Sequence, residues 1–284
     1  MNNNRSMNPH TNPNIHQNIA FIGGGNMASA IISGLLGKGV SAAQIDVVEP
    51  FDEARQKLKA SFNIDAQAAP GSALARADLV VWAVKPQTFK DAALQSSSHT
   101  AKALHLSVAA GITSSSIARW LGSERIVRAM PNTPALIGKG ITGLYAREGV
   151  NAADRALVDQ VIATTGDSLW LTDEAQLDGV TALSGSGPAY IFYFMEAMTE
   201  AGEQMGLPRE QAYQLAVATF IGAGELARAS SEAPEVLRQR VTSKGGTTHA
   251  AITSMDHSNI KNLFMQALHA AQIRAREMGE EFGG

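Results

Sequence analysis

Residues 18–39, NIAFIGGGNMASAIISGLLGKG, contain the strongest structural signal of the chain. A short apolar run ends in three glycines, and the residues after it carry apolar side chains at helical spacing, including Met27, Ile31 and Leu35. The turn at 23–28 fits the pattern G-x-G-x-x-G/A and lies between a predicted strand and a predicted helix. This order is typical of a dinucleotide-binding unit.

Each position of this turn has a physical role in such a unit. Gly23 allows the tight turn, Gly25 lets the backbone approach a pyrophosphate, and Ala28 lets the helix pack closely on the strand. The amides of Asn26 and Met27 then lie at a helix N-terminus, where partial positive charge attracts phosphate. Glycines also cluster in turns for steric reasons alone. The flanking strand and helix are what favour a nucleotide site over a purely structural turn.

Strands and helices alternate as far as residue 173. Further strands are predicted at 44–50, 77–84, 103–110, 125–132, 141–148 and 168–173. This alternation predicts an α/β fold with a Rossmann-type, doubly wound, mostly parallel sheet. Beyond residue 174 strand signals are absent, and five helical segments between 184 and 280 predict an all-α C-terminal domain. We therefore expect a disordered, asparagine-rich leader at 1–17, a Rossmann domain at 18–174 and a helical domain at 175–284.

Glu49 ends the second predicted strand. An acid at that place accepts hydrogen bonds from the adenosine ribose and repels a 2′-phosphate, which favours NADH over NADPH. Arg55 lies close enough in sequence to bind such a phosphate, although the residue pattern favours a solvated surface arginine. Two later loops, AVKPQ at 83–87 and MPNTP at 130–134, follow strands whose carboxyl ends should face a ligand.

Composition excludes several classes of protein. The net charge is −3 with no basic run, which argues against nucleic-acid binding. The chain has no cysteine, and its seven histidines show no H-x-x-x-H spacing, so we expect no metal site. No apolar stretch is long enough to span a membrane, and we expect a cytoplasmic protein.

The helix predicted at 184–207 is apolar on more than one face. Tyr190, Phe192, Tyr193 and Phe194 are near neighbours in it, and such a helix is normally buried between layers. Five helices of this kind make a thin core for one copy of the chain. A subunit interface would bury the apolar surplus.

The segment SKGGTTHAAI, residues 243–252, has two interpretations. The amides of Gly246, Thr247 and Thr248, with the hydroxyl of Ser243, can hold an anion at the start of a short helix. Alternatively the segment is an interhelical loop with a threonine as N-cap. The residue pattern alone leaves both open.

The chain resembles the pyrroline-5-carboxylate reductases from about Asn18 to its C-terminus. The resemblance rests on six blocks in that family's order: IGGGNMASAIISGL, AVKPQ, RAMPNTPA, LSGSGPAY, MGLPREQA and VTSKGGTTHAAI. It implies reduction of the cyclic imine of 1-pyrroline-5-carboxylate to L-proline with NADPH or NADH, the last step of proline synthesis. It also implies a homodimer, which can assemble into a larger ring such as a decamer.

The resemblance further implies roles for particular residues. The substrate would lie at the S-x-G-G-x-T loop, between the sheet domain and helices partly supplied by a partner subunit, and Thr248 would meet the imine nitrogen. Lys244 stands where the family commonly has proline. The substrate-binding positions implied are Ser243, Gly245, Gly246 and Thr247. Those implied beside the nicotinamide are Ala83, Val84, Lys85, Pro86, Met130, Pro131 and Asn132.

Two other functions remain open from the residues. A β-hydroxyacid dehydrogenase shares the plan of sheet and helical domain but uses a lysine on the long helix, and residues 184–207 contain none. A non-catalytic nucleotide sensor would need no anion site in its helical part. Mutation of the S-K-G-G-T-T loop would then leave its nucleotide response intact.

Overall fold

The structure, a computed structural model, describes residues 15–283. Most of the predicted leader, residues 1–14, lies outside this range. Ile15 is buried in the main core, and the Gln44 side chain donates to the carbonyl oxygens of Ile15 and Gln17 at 3.1 and 3.3 Å. Residues 15–17 therefore pack with the sheet domain and do not belong to a leader.

A seven-stranded sheet forms the centre of the first half. Its strands are β1 (Ile19–Ile22), β2 (Ile45–Val48), β3 (Leu79–Trp82), β4 (Leu104–Ser107), β5 (Ile126–Met130), β6 (Gly140–Ala146) and β7 (Gly166–Trp170). The spatial order is β2-β1-β3-β4-β5-β6-β7, and every neighbouring pair is parallel except β5 and β6. The predicted doubly wound, mostly parallel sheet is confirmed.

Eleven α-helices accompany the strands in the described part of the chain. They are α1 (Asn26–Gly37), α2 (Asp52–Phe62), α3 (Pro86–Thr100), α4 (Ser114–Leu121), α5 (Ala152–Ile162), α6 (Gln176–Val180), α7 (Gly187–Gln204), α8 (Arg209–Ala229), α9 (Pro234–Arg240), α10 (Thr247–His257) and α11 (Ile260–Phe282). The all-α C-terminal part is thus confirmed as well.

Burial explains the parallel and the antiparallel parts of the sheet. Every residue of β1, β3 and β4 is buried, as expected when helices cover both faces of a parallel sheet. Between β5 and β6 the chain has only the short 3₁₀ helix Thr133–Ile137. A parallel return needs a crossover of a dozen or more residues, so β6 runs antiparallel to β5.

The described residues form two compact units, 15–185 together with 272–283, and 186–271. This division differs from the predicted boundary at 174/175, because α6 packs on the sheet. A Cβ atom on Gly143 of β6 would lie 2.9 Å from Cγ1 of Val180. The end of α11 returns to the first unit, where a Cβ atom on Gly111 would lie 3.1 Å from Cβ of Met278. Strand signals end before these contacts are made, so the sequence pattern placed the boundary too early.

The second unit leaves much apolar surface exposed. On α7, Tyr190 and Phe194 pack edge-on against Phe264 of α11, with ring centroids 5.8 and 5.6 Å apart. The expected burial of this helix therefore holds for one face only. Large apolar side chains exposed elsewhere in the unit include Phe192, Tyr193, Met205, Tyr213, Leu215, Ile221, Leu226, Val241 and Leu263. An exposed surface of this kind fits an interface with another subunit.

His105 of β4 is a buried histidine in the sheet core. Its Nδ1 accepts a hydrogen bond from Nε1 of Trp82 at 3.2 Å, and its Nε2 has no hydrogen-bond partner within residues 15–283. Burial, and secondly the positive charge of Arg125, lower the pKa of His105 to about 4. The imidazole is therefore neutral in the folded protein near neutral pH.

This buried histidine predicts a specific acid sensitivity. In the unfolded chain His105 has the ordinary pKa of 6.5, so as the pH falls the unfolded chain binds this proton first. Its contribution to stability is complete above the unfolded pKa and is lost as the pH falls through the folded value. We expect the free energy of unfolding to decrease by about 3 kcal/mol from this group over that range. Guanidinium titrations at several pH values should show a flatter dependence in His105→Gln, and an identical slope would contradict this account.

Candidate active site

The glycine turn after β1 has a geometry that only glycine allows at its first position. Gly23 has a φ angle of 95°, and a Cβ atom there would lie 2.5 Å from the carbonyl oxygen of Ala83. Its amide donates to the carbonyl of Val48 at 2.8 Å. The turn therefore connects the ends of three adjacent strands, β1, β2 and β3.

The helix that follows the turn has an open N-terminus. Gly25 is the N-cap of α1 and no side chain makes a capping hydrogen bond to the first amides, those of Asn26 and Met27. A Cβ atom on Gly25 would meet nothing within 4 Å, whereas Ala28 is completely buried against the core. Open space beside uncapped amides is what a pyrophosphate needs.

Glu49 has a structural role that the sequence pattern did not reveal. The side chain is buried, and its two carboxylate oxygens accept hydrogen bonds from the amides of Gly24 at 2.8 Å and Phe51 at 3.0 Å. Glu49 thereby fixes the turn after β1 to the loop after β2. Each oxygen keeps a further lone pair, so the predicted contact with the adenosine ribose stays a prediction.

Arg55 is not a plain solvated side chain, because three of its five N–H donors are used within the protein. Its Nη1 donates to the carbonyl oxygens of Glu49 and Pro50 at 3.0 and 2.7 Å, and its Nη2 pairs with Oδ1 of Asp52 at 2.9 Å. The guanidinium is held just beyond the carboxyl end of β2.

The loop after β3 lies directly beside the glycine turn. The amide of Ala83 donates to the carbonyl of Ile22 at 2.8 Å, and Ala83 and Val84 are half-buried. Lys85 is the exposed N-cap of α3, and Pro86 is its first residue. Lys85 therefore lies at the exposed start of α3. No hydrogen bond or ion pair of its side chain within residues 15–283 marks it as an acid or a base.

The loop after β5 leads towards α1, the helix that follows the glycine turn. Met130 is half-buried, Pro131 and Asn132 are buried, and the 3₁₀ helix that follows contacts α1. The Asn132 side chain is already used, because its Oδ1 accepts from the amide of Ile141 at 3.0 Å. Asn132 therefore shapes the loop. Its buried Oδ1 already has a hydrogen-bond partner in the protein and needs none from a cofactor.

Sequence reasoning missed a further loop at this edge, Val108–Gly111. It follows β4, which lies between β3 and β5, and the amide of Val108 donates to the carbonyl of Trp82 at 3.0 Å. The sequence pattern assigned these residues to a strand at 103–110, whereas β4 ends at Ser107. The run of small residues before Gly111 was the available signal.

The S-K-G-G-T-T loop belongs to the second unit. Gly245 has a φ angle of 76°, and Gly246 is the N-cap of α10 with no side-chain cap. The interpretation with a threonine as N-cap is therefore wrong. The amide of Gly246 donates to the carbonyl of Ser243 at 3.0 Å, so it closes the loop and is not available for an anion, contrary to our prediction.

Thr247 and Thr248 are the first two residues of α10, and their amides are open to a ligand. Thr248 is half-buried, and its hydroxyl makes no hydrogen bond within the described part of the chain. Other threonine hydroxyls in the unit donate to a carbonyl four residues earlier, as Thr199 and Thr219 do at 2.7 Å. At the first turn of α10 no earlier helical carbonyl exists, so the hydroxyl of Thr248 remains available.

The structure thus brings together the four loops of the sheet domain at the carboxyl ends of β1, β3, β4 and β5. The S-K-G-G-T-T loop forms a second helix N-terminus in its own unit. Among residues 15–283 no group of three histidine, aspartate or glutamate side chains is placed to hold a metal ion. No helix in the described range has the length and hydropathy to cross a bilayer.

Comparison with known proteins places the chain in a family. Residues 174–278 match the family model described as pyrroline-5-carboxylate reductase dimerisation, and residues 18–111 match the model described as NADP oxidoreductase, coenzyme F420-dependent. The first model covers the helices with exposed apolar side chains, which indicates a homo-oligomer.

Individual relatives agree over nearly the whole length. A pyrroline-5-carboxylate reductase of Pseudomonas aeruginosa is 48% identical over 93% of this chain and 98% of its own. The solved structure of the Coxiella burnetii pyrroline-5-carboxylate reductase has a TM-score of 0.86 at 40% identity, covering 92% of this chain and 98% of that one. A Plasmodium falciparum pyrroline carboxylate reductase with NADP bound has a TM-score of 0.83 at 27% identity, covering 93% and 98%. This chain belongs to the pyrroline-5-carboxylate reductase family.

Proposed function

We propose that this protein, an NAD(P)H-dependent oxidoreductase, reduces 1-pyrroline-5-carboxylate to L-proline with residues of two helix N-termini. The observation that carries the proposal is that both glycine loops, at 23–25 and at 245–246, open an uncapped helix. Uncapped helix N-termini attract anions, and the reaction has two of them, the cofactor pyrophosphate and the substrate carboxylate.

The residues of the sheet domain fit the dinucleotide. Gly23 and Gly25 leave room for its pyrophosphate at the amides of Asn26 and Met27, and Glu49 holds the turn in shape. The loops that begin at Ala83 and at Met130 would flank the nicotinamide, because β3 and β5 run parallel to β1 and end at the same edge of the sheet as the glycine turn. When bound, NAD(P)H supplies the hydride that reduces the imine carbon.

The residues of the second unit fit a small carboxylate. The amides of Thr247 and Thr248 would bind it, and Ser243 would add a hydroxyl. Gly245 contributes the left-handed turn that brings the loop to the start of α10. Gly246 closes the loop, because its amide donates to the carbonyl of Ser243.

Thr248 would orient the imine. The carbon of the imine takes up a hydride and its nitrogen a proton, which reaches it from water or is already present in the iminium form. A threonine hydroxyl is a poor acid, so its role is to hydrogen-bond the ring nitrogen as that becomes an amine. Holding two reactants in the reacting geometry can supply most of the acceleration of such a step.

Assembly and location are proposed at a coarser level. The exposed apolar side chains of the second unit fit a dimer interface, and a larger ring such as a decamer is the extension that the family resemblance suggests. Charge and composition fit a cytoplasmic enzyme, and this location stays a prediction.

The experiment that tests the reaction measures initial rates of NADH and of NADPH oxidation with 1-pyrroline-5-carboxylate, together with chiral detection of proline. We expect saturable oxidation and one L-proline formed for each cofactor oxidised, with no oxidation when substrate is omitted. Binding of reduced cofactor without turnover would contradict the proposal and would favour the nucleotide sensor.

A further inference from the structure

We propose that Asp52 sets the choice between NADH and NADPH by pairing with the Arg55 guanidinium and so competing with a 2′-phosphate for it. The inference rests on the proposed function, since it requires a dinucleotide at the glycine turn. It adds to that function a residue that determines cofactor specificity.

The Arg55 guanidinium lies just beyond the end of β2. In a Rossmann domain the adenosine ribose lies beyond the carboxyl end of the second strand, next to the first turn. Arg55 bonds the carbonyl oxygens of Glu49 and Pro50, the two residues that directly follow β2. Its guanidinium is therefore beside the place where a 2′-phosphate would stand.

The Asp52 carboxylate and a 2′-phosphate would compete for this guanidinium. Arginine binds phosphate well because its planar donors match the oxygens, but donors already paired with a carboxylate are less available. Asp52 accepts from Nη2 of Arg55 at 2.9 Å, and its other oxygen accepts from Nε2 of Gln56 at 2.7 Å. The Asp52 carboxylate is thus itself held in place by a second residue of α2.

The local charge also disfavours a 2′-phosphate. The Arg55 guanidinium pairs with the exposed carboxylate of Asp52, the buried Glu49 places a second carboxylate directly after β2, and a 2′-phosphate would add further negative charge. The unmodified ribose of NADH brings no charge to this place. The arrangement therefore favours NADH, and removal of Asp52 both lowers the repulsion and frees the Nη2 group of Arg55.

Asp52 is a better test of this inference than Glu49. Replacement of Glu49 would remove the acceptor for the amides of Gly24 and Phe51 and so disturb the turn for both cofactors. The side chain of Asp52 is 70% exposed, and its hydrogen bonds within residues 15–283 go to Arg55 and Gln56, not to the turn. Its loss should leave the pyrophosphate site intact.

The experiment compares Asp52→Ala with Glu53→Ala. Glu53 is the next residue of α2, is exposed, and makes no hydrogen bond or ion pair within residues 15–283, so its replacement removes the same charge without releasing Arg55. We would measure kcat/KM for NADPH and for NADH, and the affinity for each by titration of the nicotinamide fluorescence.

We expect Asp52→Ala to raise the NADPH to NADH ratio of kcat/KM by about tenfold, with the NADH value almost unchanged. Glu53→Ala should change the ratio by less than about twofold, as an exposed charge without a partner does. The double variant Asp52→Ala/Arg55→Gln should lose the gain.

Three results would overturn the inference. They are an unchanged ratio in Asp52→Ala while both cofactors still bind, an equal rise in Glu53→Ala, and a gain that persists without Arg55. Failure of the unmodified protein to bind either cofactor is a different result, since it would contradict the proposed function itself.

Discussion

Replacement of Gly23 by alanine is expected to weaken binding of both cofactors by at least about 100-fold and to destabilise the sheet domain by about 2–4 kcal/mol. The backbone at Gly23 has a φ angle of 95°, which side chains rarely adopt, and the new Cβ atom would lie 2.5 Å from the carbonyl oxygen of Ala83. Backbone on both sides of this contact would have to move. The movement would displace the amides at the start of α1.

A glycine at the far end of α1 provides the control. Gly37 is the last residue of α1, is exposed, and a Cβ atom there would meet nothing within 4 Å. Gly37→Ala should leave cofactor affinity unchanged and leave stability equal or higher by up to about 1 kcal/mol. Guanidinium unfolding and fluorescence titration with NADH and NADPH measure both effects. Unchanged cofactor affinity in Gly23→Ala would mean that the turn does not bind the pyrophosphate.

Replacement of Thr248 by alanine is expected to lower kcat by about 100-fold without changing the affinity for reduced cofactor, because a small loss of substrate orientation has an effect of this size. The Thr248 hydroxyl has no partner within the described residues, so its removal breaks no bond of the protein. Thr248→Ser keeps the hydroxyl and should retain most of the activity.

Thr253 of α10 allows the same chemical change on an exposed face of the same helix. Thr253→Ala should leave kcat within about twofold, as surface substitutions do when they touch no partner. Stopped-flow measurement of cofactor oxidation separates the chemical step from product release. An unchanged single-turnover rate in Thr248→Ala would remove the proposed role of this hydroxyl.

The features that the sequence pattern predicted correctly are those set by local spacing. The turn at 23–28, the alternation of strands and helices and the helical C-terminal part all depend on residues within one or two elements. The continuous burial of β1, β3 and β4 follows from a parallel sheet with helices on both faces, and it appears in the sequence as short apolar runs. The requirement for glycine at position 23 follows from the tight turn after β1, which is also a local feature.

The features that the sequence pattern missed depend on contacts between distant residues. Glu49 holds the amide of Gly24, which is 25 residues earlier in the chain. The end of α11 packs at Gly111, and α6 packs on β6, so the first unit extends beyond the last strand. The use of the Gly246 amide inside its own loop depends on a backbone geometry that residue types alone do not specify.

The reaction requires direct transfer of a hydride from the nicotinamide to the imine carbon of the substrate. The most direct test uses NADH and NADPH carrying deuterium at C4 on one face, with mass spectrometry of the proline formed. We expect deuterium from one face of the cofactor on the former imine carbon, with no uptake of deuterium at that carbon from deuterated water. Proline without the label from either face, or labelled from the solvent at that carbon, would contradict the account.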